Sequence, residues 1–235
     1  MNFSKFSNCD FELLNSKLKN KKLRFDIGTS ISAPCTRQWF SNVKNIFVIG
    51  IEPNPYCLDR MNEWDGKIWN ILDVFKEHEQ KENYYHIIGA CDNVNTLRES
   101  KFYLLSGNVG CSSLLTPKLQ NIPECEIDCE IDVETFSLKM LLDSLVYEHI
   151  ELIKIDAQGK DLDIAKSLGP HLPRVQFLDM EDDCRYQYEN ASSREEMLDF
   201  MKTQNFTFYQ TFDGNLRFQN NIILNKDFSN FTGGM

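Results

Sequence analysis

The stretch LIKIDAQGKDL, Leu152–Leu162, sets a lysine and an aspartate two apart at the end of an apolar run, then adds a glycine and a second aspartate. Side chains alternate along a strand, so Lys154 and Asp156 fall on one side. Leu152, Ile153 and Ile155 mark that strand as buried, where a charge is costly unless it is paired or used. A carboxylate at such a strand end can serve as a general base or as a ligand for a hard cation. A surface Lys–Asp pair is the plain alternative. Other apolar runs also end in acids: Asp26, Glu52, Asp92 and the run Glu181-Asp182-Asp183. Three acids beside Asp156 would repel one another in a dry cleft. Either they face water, or one keeps its proton, or a cation sits among them.

The elements that position these residues follow from apolar pattern and punctuation. Residues 1–22 are polar and read as a lead-in. Strands are expected at Leu23–Gly28, Asn45–Pro55, Tyr84–Asp92, the opening stretch, and Arg174–Glu181. Helices are expected at Ser32–Asn42, with Pro34 at the first position, at Ser137–Leu145, at Lys160–Leu168, and at Ser193–Gln204. The last carries a Ser-x-x-Glu capping box at Ser193 and Glu196. A polar, helical stretch is expected up to about Gln80. Residues 93–135 read as an inserted β-rich region, in which Ile127, Cys129, Ile131 and Val133 share one face. A hairpin around Asp213-Gly214 closes the chain. Repeated β–α units followed by a hairpin imply an open, mainly parallel α/β sheet with helices on both faces and one antiparallel edge. Residues 23–235 are then a single domain, and ligands are expected at the carboxyl ends of its strands.

Those ends carry a pattern. Gly28 permits a sharp turn and close backbone approach, and Thr29 and Ser30 follow with hydroxyls and amides. Glu52 stands where an acid can accept from both hydroxyls of a ribose. Cys91 and Asp92 end the third strand, where a backbone amide and a carboxylate could flank an adenine. The run Gly28-x-Ser30-x-x-Ala33 is a degenerate dinucleotide fingerprint that lacks its second glycine. Asp26 would sit badly against phosphates but well beside a cofactor's ammonium group. S-adenosylmethionine (SAM) has that ammonium and no phosphate, so Asp26 favours SAM over NAD.

Composition bounds the partners. The chain has 235 residues and a net charge of −10, which repels phosphate backbones and disfavours bulk nucleic-acid binding. The one dense basic cluster, KLKNKKLR at Lys17–Arg24, reads as a solvated segment. No run is long enough to span a bilayer. The start, MNFSKFSNCD, has no apolar signal core, and the eight cysteines lack metal-site spacing. A cytoplasmic, reduced chain is expected.

Together FDIGTS, IGIEPNP, GACD, CSSL and LIKIDAQGKDLDIAKSLG resemble the FkbM-type SAM-dependent O-methyltransferases over about Leu23–Leu224. The Lys-Ile-Asp-x-x-Gly-x-acid stretch is the most specific part, and Glu-Pro-Asn-Pro is next. Two departures stand out. The family's Ala-Asn-x-Gly loop is replaced by Thr29, Ser30 and Ser32, and its acid before Gly159 is Gln158 here. The resemblance implies a Rossmann-like class I methyltransferase fold with a seven-stranded sheet. It implies SAM held by Asp26, Gly28, Thr29 and Ser30, by Glu52 and Pro53, by Cys91 and Asp92, and by Ser112 and Ser113. Acceptors across the family are hydroxyls of sugars and natural products, and a sugar or glycan acceptor is expected here. Some relatives use magnesium, and Asp156, Asp182 and Asp183 are the candidate ligands.

Asp156 is the expected base, with Lys154 to orient it. His149 and His171 lie remote from the motifs and read as structural. Phe102, Tyr103, Tyr186 and Tyr188 are equally suited to stack on a sugar or to fill a core. Two other readings remain: an NAD-dependent oxidoreductase of Rossmann type, and a non-catalytic nucleoside-binding module. An RNA 2′-O-methyltransferase is a weaker variant, given the charge. Nothing in the sequence sets the oligomeric state.

Overall fold

The computed structural model describes residues 3–61, 68–70, 75, 78–182, 184–212 and 214–223. The polar start is part of the fold and not a lead-in. β1 (Phe3–Lys5) pairs beside β6 (Tyr84–Ile88), and α1 (Phe11–Leu18) is capped by the Asp10 side chain and buries Leu14 and Leu18. β2 (Lys22–Ile27) and β3 (Ile46–Ile51) flank α2 (Pro34–Asn42), which opens on Pro34, where a missing N–H breaks no helical bond. The polar stretch after β3 is only partly helical. It holds α3 (Pro55–Leu58), the antiparallel pair β4 (Asp59–Met61) and β5 (Ile68–Asn70), and α4 (His78–Glu82).

β6 (Tyr84–Ile88) breaks at Gly89, and β7 (Ala90–Cys91) leaves the main sheet. β7 joins β8 (Arg98–Ser106) and β9 (Glu126–Phe136) in a three-stranded sheet, the expected β-rich insertion. The apolar side of β9 is buried only toward its end. Ile127 and Cys129 are exposed, while Val133 is buried in a small cluster with Ala90, Phe102 and Leu104. Then come α5 (Leu138–Leu142), capped by Ser137, β10 (Ile150–Ile155), α6 (Asp161–Lys166) and β11 (Val175–Glu181). α7 (Arg194–Thr203) has the predicted capping box. β12 (Phe206–Phe212) and β13 (Asn215–Asn220) form the closing hairpin.

The main sheet runs β1-β6-β3-β2-β10-β11-β13-β12, and only β13 runs opposite to the other strands. The expected open, mainly parallel α/β sheet is present, with eight strands among the described residues where seven were expected, β1 being the added one. One face is apolar: Leu23, Phe25 and Ile27 of β2, Phe47, Ile49 and Ile51 of β3, and Ile153 and Ile155 of β10 pack under α1, α5, α6 and α7. The other face carries a charged row. Register sets Asp26 beside Lys154, Lys154 beside Asp179, and Asp179 beside Arg217, so the signs alternate across four strands. Strand order reverses between β2 and β10, and the ligand crevice of such a sheet lies outside that point. All eight cysteines are unbridged, and no helix among the described residues is long and apolar enough to cross a membrane.

Candidate active site

A cavity of about 320 Å³ opens above the carboxyl ends of β2, β3, β6 and β10. That is within the range of small-molecule sites. Gly28, Ser30, Glu52, Pro53, Cys91, Ser112 and Asp156 line it. Sequence reasoning had assigned all of these.

The floor is a junction between two strand ends. Gly28 turns with φ +72°, and a Cβ built there would lie 1.9 Å from the Asp156 carbonyl oxygen. Only glycine lets β2 and β10 meet so closely. Gly28→Ala therefore destabilises the chain by more than the roughly 1–2 kcal/mol of left-handed strain alone. The check is the urea midpoint, and a midpoint equal to wild type would refute the junction.

Lys154 ties the same junction from beneath. Its ammonium donates to the Gly28 carbonyl at 2.7 Å and lies 3.4 Å from Asp26 Oδ1 and 3.3 Å from Asp156 Oδ2. Burial alone would push this ammonium down, but the two carboxylates outweigh it and the net shift is upward. Lys154 is buried behind the cavity wall, so it sets Asp156 in place and meets no ligand.

Asp26 also lies behind the wall. It is fully buried, and its Oδ2 accepts from the Thr36 amide at 3.2 Å and from the Thr36 hydroxyl at 2.6 Å. Its other oxygen makes no hydrogen bond, only the ion pair with Lys154. An aspartate held this way does not reach a cofactor ammonium, which corrects the expected role. The same contacts bear on phosphate binding. Helix α2 opens on Pro34, which has no N–H, and the Thr36 amide is taken by Asp26. Phosphates bind at helix N-termini through free amides, so a dinucleotide pyrophosphate lacks its usual cradle here.

Glu52 sits on the opposite wall. Ser30 N–H donates to its Oε2 at 2.9 Å and Asn54 N–H to its Oε1 at 3.0 Å. Burial pushes this carboxyl up to about 7, against the pull of those two amides. Each oxygen keeps a lone pair free for a hydroxyl donor. Asn54 reaches on to the Ser112 hydroxyl at 3.1 Å, which fastens the insertion over the cavity.

Three more assigned residues lie off the wall. Thr29 is buried with its hydroxyl unpartnered. Ser113 donates to the Gln158 carbonyl at 2.8 Å and so pins the turn after β10. Asp92 is engaged by Lys160 at 2.8 Å and by Arg98 at 3.5 Å, which leaves it poorly placed to receive an adenine amine. Lys160 itself lines the cavity.

The expected magnesium set does not assemble. Asp182 is bound to Arg194 at 2.6 Å, and Asp183 lies outside the described residues. Asp156 already faces the Lys154 ammonium, a poor neighbour for a dication. Among the described residues no three metal-ligating side chains converge. The donor set does not fit the metal.

The acid that does face the cavity from β11 is Glu181. Register pairs Ile155 with Met180, so Asp156 and Glu181 stand side by side one residue further on. That neighbour was legible only once the two strands were aligned. Between them lies Gln158, at φ +52° beside Gly159 at φ +95°. Of the aromatics, Phe102 lines the cavity, while Tyr188 is buried and within hydrogen-bond reach of Gln158. Tyr186 is exposed, and Tyr103 meets Thr116. His171 is held between Tyr147 and Asp143, and neither it nor His149 lines the cavity.

No protein-family profile matches the chain, and no curated protein matches it in sequence. Two solved structures are similar at low level. One is M. capricolum TrmK in complex with S-adenosylhomocysteine (SAH), at 12% identity and TM-score 0.41, covering 91% of this chain and 69% of that one. The other is Streptococcus pneumoniae Sp1610, a presumed tRNA (m1A22) methyltransferase, at 12% identity and TM-score 0.39, covering 89% and 68%. Likeness this distant transfers neither a substrate nor an activity. The FkbM resemblance stands on its motifs alone.

Proposed function

We propose that this chain is a SAM-dependent O-methyltransferase acting on a hydroxyl of a sugar or glycan. The observation that carries the reading is one cavity with a glycine turn and Glu52 at one end and the Asp156 carboxylate at the other. Glu52 accepts from the ribose hydroxyls, Gly28 and Ser30 bound the cofactor, and Asp156 faces the acceptor. The dinucleotide alternative loses ground because α2 opens on Pro34 and its Thr36 amide is taken by Asp26.

Methyl transfer is an in-line displacement. The acceptor oxygen forms its bond to the methyl carbon as the carbon–sulfur bond breaks, and that electron pair stays on sulfur to give a neutral thioether. A sugar hydroxyl is a weak nucleophile, so its proton leaves to Asp156 as the bond forms. The cavity supplies alignment. Lys154 holds the Asp156 carboxylate toward the acceptor.

The test is a thermal melt with SAM, SAH or NAD. A ligand at ~100 times its Kd adds about 2.7 kcal/mol, on the order of 5–10 °C for a domain of this size. A rise with SAM and SAH and none with NAD is expected. No rise with millimolar SAM would move the non-catalytic binding module to first place.

A further inference from the structure

Gln158 occupies the position where the FkbM pattern carries an acid, and its side chain is fully committed. Its Nε2 donates to Asp156 Oδ1 at 2.8 Å and to Glu181 Oε2 at 2.9 Å. Both amide hydrogens are thus used, one on each carboxyl. Its Oε1 lies 2.8 Å from the Tyr188 hydroxyl, which is also 2.7 Å from the Cys111 carbonyl. Its backbone carbonyl accepts from Ser113. A side chain this anchored has no free group with which to take or give a proton. It can only fix what it touches, and it touches two acids on one cavity wall.

We propose that Gln158 yokes Asp156 and Glu181 into one acceptor-binding pair, in which Asp156 takes the proton of the acceptor hydroxyl and Glu181 donates a hydrogen bond to the acceptor. Gln158 is a positioning residue in this pair, and Glu181 touches the acceptor. The inference rests on the methyltransferase reading and deepens it.

The surroundings of Glu181 decide which acid is neutral. Asp156 faces it from the end of β10, Asp161 from α6, Cys184 and Tyr188 from the turn after β11, and Cys111 from the insertion. None of these is a cation. Burial first, then the carboxylates of Asp156 and Asp161, push the Glu181 carboxyl upward. Asp161 accepts the Glu181 backbone N–H at 3.0 Å and leaves its second oxygen unpartnered. Asp156 differs in having the Lys154 ammonium at 3.3 Å, whereas no cation stands beside Glu181. One wall therefore presents a base and a neutral donor together. Such a pair suits an uncharged polyhydroxyl acceptor, whereas the Asp156 charge repels an anionic one. A glutamate at position 158 would place a third acid between the two and take away both N–H donors.

The experiment is infrared difference spectroscopy of the full chain across a pH series, comparing wild type with Glu181→Gln and Gln158→Met. Wild type shows a protonated carboxylic acid band that Glu181→Gln removes. Gln158→Met moves the titration midpoint of that band upward, because the carboxylate loses a donated N–H. Absence of a band sensitive to Glu181→Gln would overturn the pair, and a midpoint unmoved by Gln158→Met would overturn the yoke. A SAH melt on the same samples separates the two levels. No SAH shift in wild type sinks the methyltransferase reading and with it the acceptor role. A normal shift without the band sinks the pair alone.

Discussion

Asp156→Asn keeps SAH binding and lowers methyl transfer by about 10²–10⁴-fold. The substitution preserves shape, so the junction with Gly28, which uses the Asp156 backbone carbonyl, stays intact. The cofactor end of the cavity, at Gly28, Ser30 and Glu52, does not depend on the Asp156 charge. What disappears is the carboxylate on the wall that lies against the buried Lys154 ammonium. An amide cannot take the acceptor's proton. The loss falls on kcat, and the Kd for SAH by calorimetry stays within a few-fold of wild type. Full turnover on the best acceptor of a sugar panel would remove Asp156 as base. Loss of SAH binding together with turnover would assign it to the cofactor instead.

How much of this was legible in the sequence depended on whether a signal ran along one strand or across several. Gly28, Glu52 and Asp156 declare themselves along the chain, as a glycine or acid closing an apolar run, and all three line the cavity. The helix starts at Pro34, Ser137 and Ser193 were equally readable, because caps are local chemistry. Asp26 was misread for the opposite reason. Its partner Lys154 lies beside it on a strand more than a hundred residues later, and nothing local shows that pairing. Asp92 likewise finds Lys160 only in three dimensions. The acids after β11 were recognised as a group, yet which of them faced the site depended on register. Glu181 extends the strand and points inward, whereas Asp182 turns to Arg194. β1 went unread because three residues make no periodic pattern.

Lys154→Met shows what holds the strand junction together. The expected result is a loss of about 3–5 kcal/mol, the usual effect of truncating one partner of a buried ion pair. For a chain of this size that lowers Tm by on the order of 10 °C. Methionine fills much of the lysine volume, so the deficit is electrostatic more than steric. Asp26, fully buried, keeps only its Thr36 contacts, and the Gly28 carbonyl loses its donor. The charged row across the sheet is also left with Asp26 and Asp179 on either side of an uncharged residue. In wild type the net shift of Lys154 is upward, so its contribution is complete below the ordinary lysine range and is lost only as pH rises through the folded value. Asp26→Asn in the same chain should restore much of the stability, because it removes the charge that Lys154 balances. Urea unfolding of the two single variants and the double variant measures this directly. Additive losses would show that Lys154 and Asp26 do not act as a pair, and the account of why a buried strand ends in a lysine and an aspartate would fall with them.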